Sequence, residues 1–388
     1  MRAARRLDRI PPYLFAELDK KRQAALARGL DVINLGIGDP DIPTPDHVIR
    51  RMQRAVENPA YHQYPAYEGS RDFRAAVADW YRERFSVQLD PDREVMTLIG
   101  SKEGIAHIFW AYVDEGDYVL LPDPGYPVYR THTLLCGGRV YPLPLVKERG
   151  FLPDLASVPR DVAERAKILF LNYPNNPTAA VADLDFFRRA VDFCREHDIL
   201  LCHDAAYSEI TFDGYVAPSV LQVEGAKEVA IEFNSLSKPF NMTGWRLGFA
   251  VGSADAVHNL GVIKTNTDSG QFTAVQEAGV EALRNSPGDF IAQMCEVYRR
   301  RRDLVVEALN RIGWNLDKPL GSFYLWAPVP AGYTSASFAA ELLEHTGVMV
   351  SPGSLYGESG EGYFRISLTV SDERLAEAMN RIEAHLAS

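Results

Sequence analysis

The stretch Ile168-Leu169-Phe170-Leu171-Asn172-Tyr173-Pro174-Asn175-Asn176-Pro177-Thr178 joins four consecutive apolar residues to a polar, proline-stiffened turn. An unbroken apolar run, rather than an alternating one, predicts a strand buried on both faces. The prolines at 174 and 177 make the turn after it sharp and rigid. Working outward, the same unit recurs. Val119-Leu120-Leu121 ends at Pro122, and Ile199-Leu200-Leu201-Cys202 ends at His203-Asp204. Val229-Ala230-Ile231 and Leu247-Gly248-Phe249-Ala250-Val251 follow. Between them Leu184, Phe187, Val191 and Cys194 step by three or four behind a potential N-cap, Asp183, which predicts a helix. Strands alternating with helices predict an α/β fold with a mainly parallel sheet between helices. Ligands of such sheets sit beyond the carboxyl ends of the strands, where Asn176 and Asp204 stand.

The last third reads differently. A long amphipathic segment from Asp289 to Ile312 precedes Phe323-Tyr324-Leu325-Trp326, a helix near Ala336 to Thr346, and a strand from Tyr363 to Leu368. In a final helix Leu375, Met379, Ile382 and Leu386 share one face. This predicts a smaller α+β domain at 286–388, a large domain at 46–285, and an N-terminal segment, 1–45, rich in Pro and Gly, packing on the smaller one. Arg299 to Arg302 read as the solvated face of the long helix, and Lys264 as the partner of a neighbouring acid.

The 388 residues are 46% hydrophobic and 24% charged, an ordinary globular composition, with a net charge of −11. Such a surface disfavours phosphate backbones and anionic membranes, so neither nucleic acid nor membrane is an expected partner. No apolar run reaches the roughly 18 residues of a membrane helix or follows the arginine-rich start as a signal peptide would. Cys136, Cys194, Cys202 and Cys295 form no CxxC pair, and the nine histidines have no metal-ligand spacing, so no metal is expected. Cys194 and Cys202 read as small core residues. A cytoplasmic location fits this usage.

Four short motifs carry chemistry. In Ser235-Leu236-Ser237-Lys238, with Arg246 eight residues on, hydroxyls and a guanidinium surround a lysine, which suits a phosphate held beside a reactive amine. Neighbouring positive charge and burial lower the pKa of such a lysine. In Asp204-Ala205-Ala206-Tyr207 a carboxylate at a strand end suits a pyridinium nitrogen, and equally serves as a helix N-cap beside a packed tyrosine. Asn176 sits in its turn as a donor or as a plain turn residue. Arg365, within Gly362-Tyr363-Phe364-Arg365-Ile366-Ser367, is costly in an apolar strand unless paired. Its partner is either a substrate carboxylate or an internal acid.

In this order the set resembles the class I/II aminotransferases, pyridoxal-phosphate enzymes of fold type I. The resemblance runs from Asn34-Leu35-Gly36-Ile37-Gly38-Asp39-Pro40 to the final helix. It implies that Lys238 carries pyridoxal 5'-phosphate as a Schiff base and shuttles the proton. It further implies that Asp204 pairs with the ring nitrogen and that Tyr207 and Asn176 bind the phenolate oxygen. Ser235, Arg246 and the turn Gly100-Ser101-Lys102 hold the phosphate, and Tyr126 stacks on the ring. Arg365, the backbone near Gly38 and Asn176 bind the substrate α-carboxylate. Tyr64 reaches the phosphate of a neighbouring subunit, which implies a homodimer. The family turn reads Asn-Pro-Thr-Gly, whereas Ala179 follows Thr178 here; at positive φ this costs roughly 1 kcal/mol.

Tyr64-Pro65-Ala66-Tyr67-Glu68-Gly69, Ile99-Gly100-Ser101-Lys102-Glu103-Gly104-Ile105-Ala106-His107, Cys202-His203-Asp204-Ala205-Ala206-Tyr207-Ser208-Glu209-Ile210 and Asn241-Met242-Thr243-Gly244-Trp245-Arg246 are similar to LL-diaminopimelate aminotransferases. These implied substrates, LL-2,6-diaminopimelate and 2-oxoglutarate, belong to lysine biosynthesis. Tyr67 stands where some members carry a carboxylate for the distal amino group. An alanine, aspartate or glutamate aminotransferase is therefore the alternative, ahead of a C–S lyase. Glu103, Lys102, Asp268 and Asn266 are candidates for the distal end of the substrate.

Overall fold

The computed structural model describes residues 1–11, 14–286 and 288–386. Its strands in chain order are β1 (Ile33–Asn34), β2 (Val95–Leu98), β3 (Tyr118–Asp123), β4 (Arg139–Pro144), β5 (Ala166–Asn172), β6 (Leu200–Asp204), β7 (Ala230–Ser235), β8 (Gly248–Gly252), β9 (Tyr324–Pro328), β10 (Val348–Met349), β11 (Ser351–Pro352) and β12 (Tyr363–Ser367). A seven-stranded sheet has the order β2-β8-β7-β6-β5-β3-β4. Neighbours are parallel except that β8 runs against both β7 and β2. The apolar runs of β5, β6 and β7 are buried along almost their whole length, as expected for strands covered on both sides. β3 continues through Pro122 to Asp123 instead of ending at the proline, because β4 and β5 pair with its earlier residues and β4 accompanies it to the end.

Helices cover both faces. Leu184–His197 forms behind Asp183, whose carboxylate accepts the Phe186 N–H at 2.7 Å, and buries Phe187, Val191 and Cys194. Ser101–Tyr112 and Ala254–Thr265 pack together on the opposite face, over Ile168, Phe170 and Cys202.

The C-terminal third holds the antiparallel sheet β11-β12-β9, flanked by the long helix Gly288–Arg311 and by Ser335–Thr346 and Asp372–Leu386. Leu375, Met379 and Ile382 are buried in its core, with Leu386 packed against them. The N-terminal segment joins this part: β1 pairs in parallel with β10, and Leu18 and Ala25 pack on Leu343 and Met349. Its helix Leu14–Ala27 had no clear sequence signal.

Arg299 to Arg302 are not one solvated face. Arg299 and Arg300 pair at the surface with Glu296 and Asp372. Arg301 and Arg302 are buried, the first bridging Asp41 and Asp372 at 2.7 Å each, the second held by Asp213 at 2.6 Å and Asp303 at 2.7 Å. A run of four residues turns through more than one helix face, so two of four consecutive side chains must point inward.

Candidate active site

The carboxyl ends of β5, β6 and β7 open into a cavity of about 500 Å³, closed on the other side by Ile37–Asp39 and Tyr324. Asn172, Asp204 and Ser235, the last residues of those strands, all line it.

Lys238 follows β7 and its Nζ donates to the Gly38 carbonyl at 3.2 Å. Desolvation brings its pKa down to about 8; Arg365 and Arg246 act the same way, against Asp39 and Asp204. Gly38 is required: a Cβ there would overlap the Tyr324 hydroxyl.

Asp204 is buried. Its Oδ2 accepts the Tyr129 hydroxyl at 2.7 Å and its Oδ1 the Ala206 N–H at 3.3 Å. No helix begins at Asp204, so it is not an N-cap. Burial raises its pKa, and the Tyr129 hydrogen bond opposes that shift. Tyr207, three residues on, places its hydroxyl 3.1 Å from that of Tyr324.

The turn after β5 is locked by its own side chains. Asn175 accepts from the Thr178 N–H and hydroxyl at 2.9 and 2.8 Å and donates to the Asn172 carbonyl at 3.0 Å. Asn172 accepts the Asn176 N–H at 2.8 Å and donates to the Asp204 carbonyl at 2.7 Å. Ala179 does take positive φ, +59°, and its methyl is buried in the C-terminal core, which offsets part of the cost. Asn176 thereby presents its Oδ1 to Arg365 Nη1 at 2.6 Å.

Arg365 is fully buried on β12 and has no acidic partner among the described residues. Nη2 donates to the Gly36 carbonyl at 2.7 Å, the guanidinium lies 4.0 Å from the Tyr324 ring centroid, and Nε has no acceptor. The internal salt bridge considered above is absent. A buried cation with neutral ligands and an unused N–H suits an incoming carboxylate.

Gly100, at φ +75°, starts the helix Ser101–Tyr112 at the cavity wall. A Cβ on it would overlap the Arg246 guanidinium. Free amides at a helix N-terminus beside a guanidinium form an anion site. Ser101, Lys102, Ser235, Arg246 and Tyr126 all line the cavity. Tyr64 does not; it is 89% exposed.

Of the distal-end candidates only Lys102 faces the cavity. Glu103 and Asp268 turn to Lys264, at 3.4 and 2.7 Å, so that lysine has the acidic partners expected of it. Asn266 donates to the Val262 carbonyl at 2.8 Å. Sequence reasoning missed Tyr129 and Asn172. The signal for Tyr129 was its position three residues after Tyr126, on the same turn of one helix.

A family model described as aminotransferase class I and II matches residues 30–382. The chain belongs to the class I and II aminotransferases. Among curated members it is 60% identical to LL-diaminopimelate aminotransferase of Moorella thermoacetica, over 98% of both chains. It is 58% identical to the enzyme of that name from Desulforudis audaxviator, over 99% of this chain and 97% of the other. Among solved structures, substrate-bound BacF of Bacillus subtilis superposes with a TM-score of 0.96 at 35% identity, covering 99% and 98% of the two chains. An aspartate aminotransferase mutant of Thermus thermophilus gives 0.92 at 30%, covering 99% and 100%.

Aminotransferases of this family depend on pyridoxal 5'-phosphate, and the residues present fit it. Among the described residues the buried Asp204 carboxylate is bonded only to a phenol and a backbone N–H, the arrangement that a protonated ring nitrogen would complete. The anion site at Ser101 and Arg246 and the desolvated Lys238 amine open into the same cavity. No described helix is long and apolar enough to cross a membrane.

Proposed function

We propose that the chain moves the amino group of LL-2,6-diaminopimelate to 2-oxoglutarate, a step of lysine biosynthesis. The full-length identity to aminotransferases of that specificity supports the substrate. The convergence of Lys238, Asp204 and Arg246 on one cavity, with Arg365 buried directly behind its Asn176 wall, carries the chemistry.

In this reading Lys238 holds the cofactor aldehyde carbon and Asp204 the ring nitrogen, while Tyr207 and Asn176 hold the phenolate oxygen. Tyr126 stacks on the ring, and the Gly100-Ser101-Lys102 turn, Ser235 and Arg246 hold the phosphate. Pyridoxal phosphate, when bound, supplies an electron-withdrawing ring that takes up the charge left at the substrate Cα. Arg365, fixed by Asn176 and Gly36, orients the α-carboxylate together with the Gly38 backbone and Asn176. With its pKa brought down to about 8, the Lys238 amine would serve as the base that takes the substrate Cα proton and as the acid that delivers it to the cofactor's aldehyde carbon. Asp204 stays ionised to keep the ring nitrogen protonated, and Tyr129 holds it in place.

The assembly is a homodimer in which Tyr64 of the partner subunit completes the phosphate site; its full exposure in the single chain supports this. Residues 46–285 form the large domain, and 286–388 with the first 45 residues the smaller one. Four free cysteines support the cytoplasm. The test is a panel of amino donors with 2-oxoglutarate, following glutamate release. Turnover with LL-2,6-diaminopimelate is expected; turnover with alanine or aspartate but none with that donor contradicts the substrate.

A further inference from the structure

Tyr324 closes the cavity from β9, and its side chain has none of the roles proposed above. Between β9 and β12, Trp326 stands opposite Arg365 and Tyr324 opposite Ser367. Residues 324 and 326 share a face of the sheet, so Tyr324 is the diagonal neighbour of Arg365, within reach of a long side chain. The tyrosine is buried, and its ring lies against the guanidinium, whose central carbon is 4.0 Å from the ring centroid. The Tyr356 ring lies 5.0 Å from the same carbon.

A buried guanidinium is costly without compensation, and among the described residues Arg365 bonds only to the Asn176 amide oxygen and the Gly36 carbonyl. A carboxylate partner would compete with the substrate for the guanidinium's N–H groups. The face of an aromatic ring stabilises the cation electrostatically and occupies none of those donors. Arg365 accordingly keeps an Nε–H without an acceptor.

The other end of the same side chain reaches Tyr207, with the two hydroxyl oxygens 3.1 Å apart. It fits there because residue 38 is a glycine, whose missing Cβ would occupy the place of the Tyr324 hydroxyl. A Tyr207 hydroxyl that donates to the cofactor's phenolate oxygen has a lone pair for the Tyr324 proton, and a chain of two such bonds strengthens both. The charged groups facing this pair are Arg365 from β12, Asp204 from β6 and Lys238 after β7.

We infer that Tyr324 is a positioning residue with two separable parts: its ring supports Arg365 as the carboxylate receptor, and its hydroxyl orients Tyr207 toward the cofactor. The inference rests on the roles of Arg365 and Tyr207 proposed above. It is tested on the holoenzyme with succinate, a dicarboxylate that has no carbonyl or amine to react, bound in a calorimeter. Tyr324→Phe keeps the ring. It is expected to bind succinate within about twofold of the unmodified protein and to lower kcat about tenfold. It is also expected to raise, by about half a unit, the pH at which the cofactor's visible absorption titrates, because a weaker donor leaves more charge on the phenolate oxygen beside Lys238. Tyr324→Leu removes the ring and is expected to weaken succinate binding about tenfold. Arg365→Lys, which loses the planar fork, is expected to do the same or worse. The inference is overturned if Tyr324→Phe loses succinate affinity as Tyr324→Leu does, or leaves kcat and the absorption titration unmoved. It is equally overturned if Tyr324→Leu binds succinate normally while Arg365→Lys does not. Normal succinate binding by Arg365→Lys would bring down the role of Arg365 itself, and this inference with it. Should Tyr324→Leu fail to fold, Tyr324→Phe decides alone.

Discussion

Asp204 is placed where an acid should lose its charge. Burial works against the carboxylate, while the Tyr129 phenol, the Ala206 N–H and the nearby Lys238 amine work for it. A hydrogen bond to a charged acceptor contributes about 1.5–3 kcal/mol. Tyr129→Phe is therefore expected to lower kcat by roughly ten- to a hundredfold, since about 1.4 kcal/mol corresponds to a factor of ten, while KM for 2-oxoglutarate stays nearly constant. Steady-state kinetics at saturating cofactor checks it; an unchanged kcat would mean that the hydroxyl is only a packing partner. At this scale the sequence was legible for residues whose type is rare in an apolar setting: Lys238 beside hydroxyls, Asp204 at a strand end, Arg365 inside a strand. Tyr129 and Asn172 were not legible. A tyrosine and an asparagine in or beside core elements have ordinary structural uses, and only the contacts reveal what they hold.

At the scale of elements, the buried strands were readable because residues covered on both faces need no polar alternation. β4 escaped, being an edge strand, Arg139–Pro144, with mostly exposed or half-buried side chains and two prolines. β2 is only four residues long. The helix at Ser101 matters beyond packing, because its first turn faces the anion site and Gly100 fixes how closely Arg246 approaches it. Gly100→Ala adds a methyl where the guanidinium sits and strains a left-handed φ by about 1 kcal/mol. The expected outcome is a rise of at least tenfold in the dissociation constant for pyridoxal phosphate, measured by equilibrium dialysis, with a loss in apoprotein stability no greater than a few degrees. Unchanged cofactor affinity would remove this turn from the phosphate site.

For the whole molecule, one residue points out of the chain that encodes it. Tyr64 is almost fully exposed and does not line the cavity of its own chain. Tyr64→Phe is expected to weaken pyridoxal-phosphate binding about tenfold while sedimentation still shows a dimer. A sharper check mixes this variant with Lys238→Ala, which is expected to bind cofactor without turnover. If the tyrosine serves the partner, one of the two sites in the mixed dimer pairs an intact Lys238 with an intact Tyr64, and that site binds cofactor with unmodified affinity. If it serves its own chain, no site in the mixture does. The change of pattern after residue 285 coincides with the start of the long helix Gly288–Arg311, beyond which the three-stranded antiparallel sheet takes its strands. The return of the N-terminal segment to β10 was not visible in the sequence, because a two-residue parallel pairing leaves no periodicity to read.

A single amine, that of Lys238, is expected to carry the cofactor. Reducing the holoenzyme with borohydride, digesting it and weighing the peptides tests this most directly. The expected result is one stoichiometric pyridoxyl-phosphate adduct on the peptide containing Lys238 and on no other. An adduct on Lys102 or Lys264 instead, or no adduct from protein saturated with pyridoxal phosphate, would contradict the account.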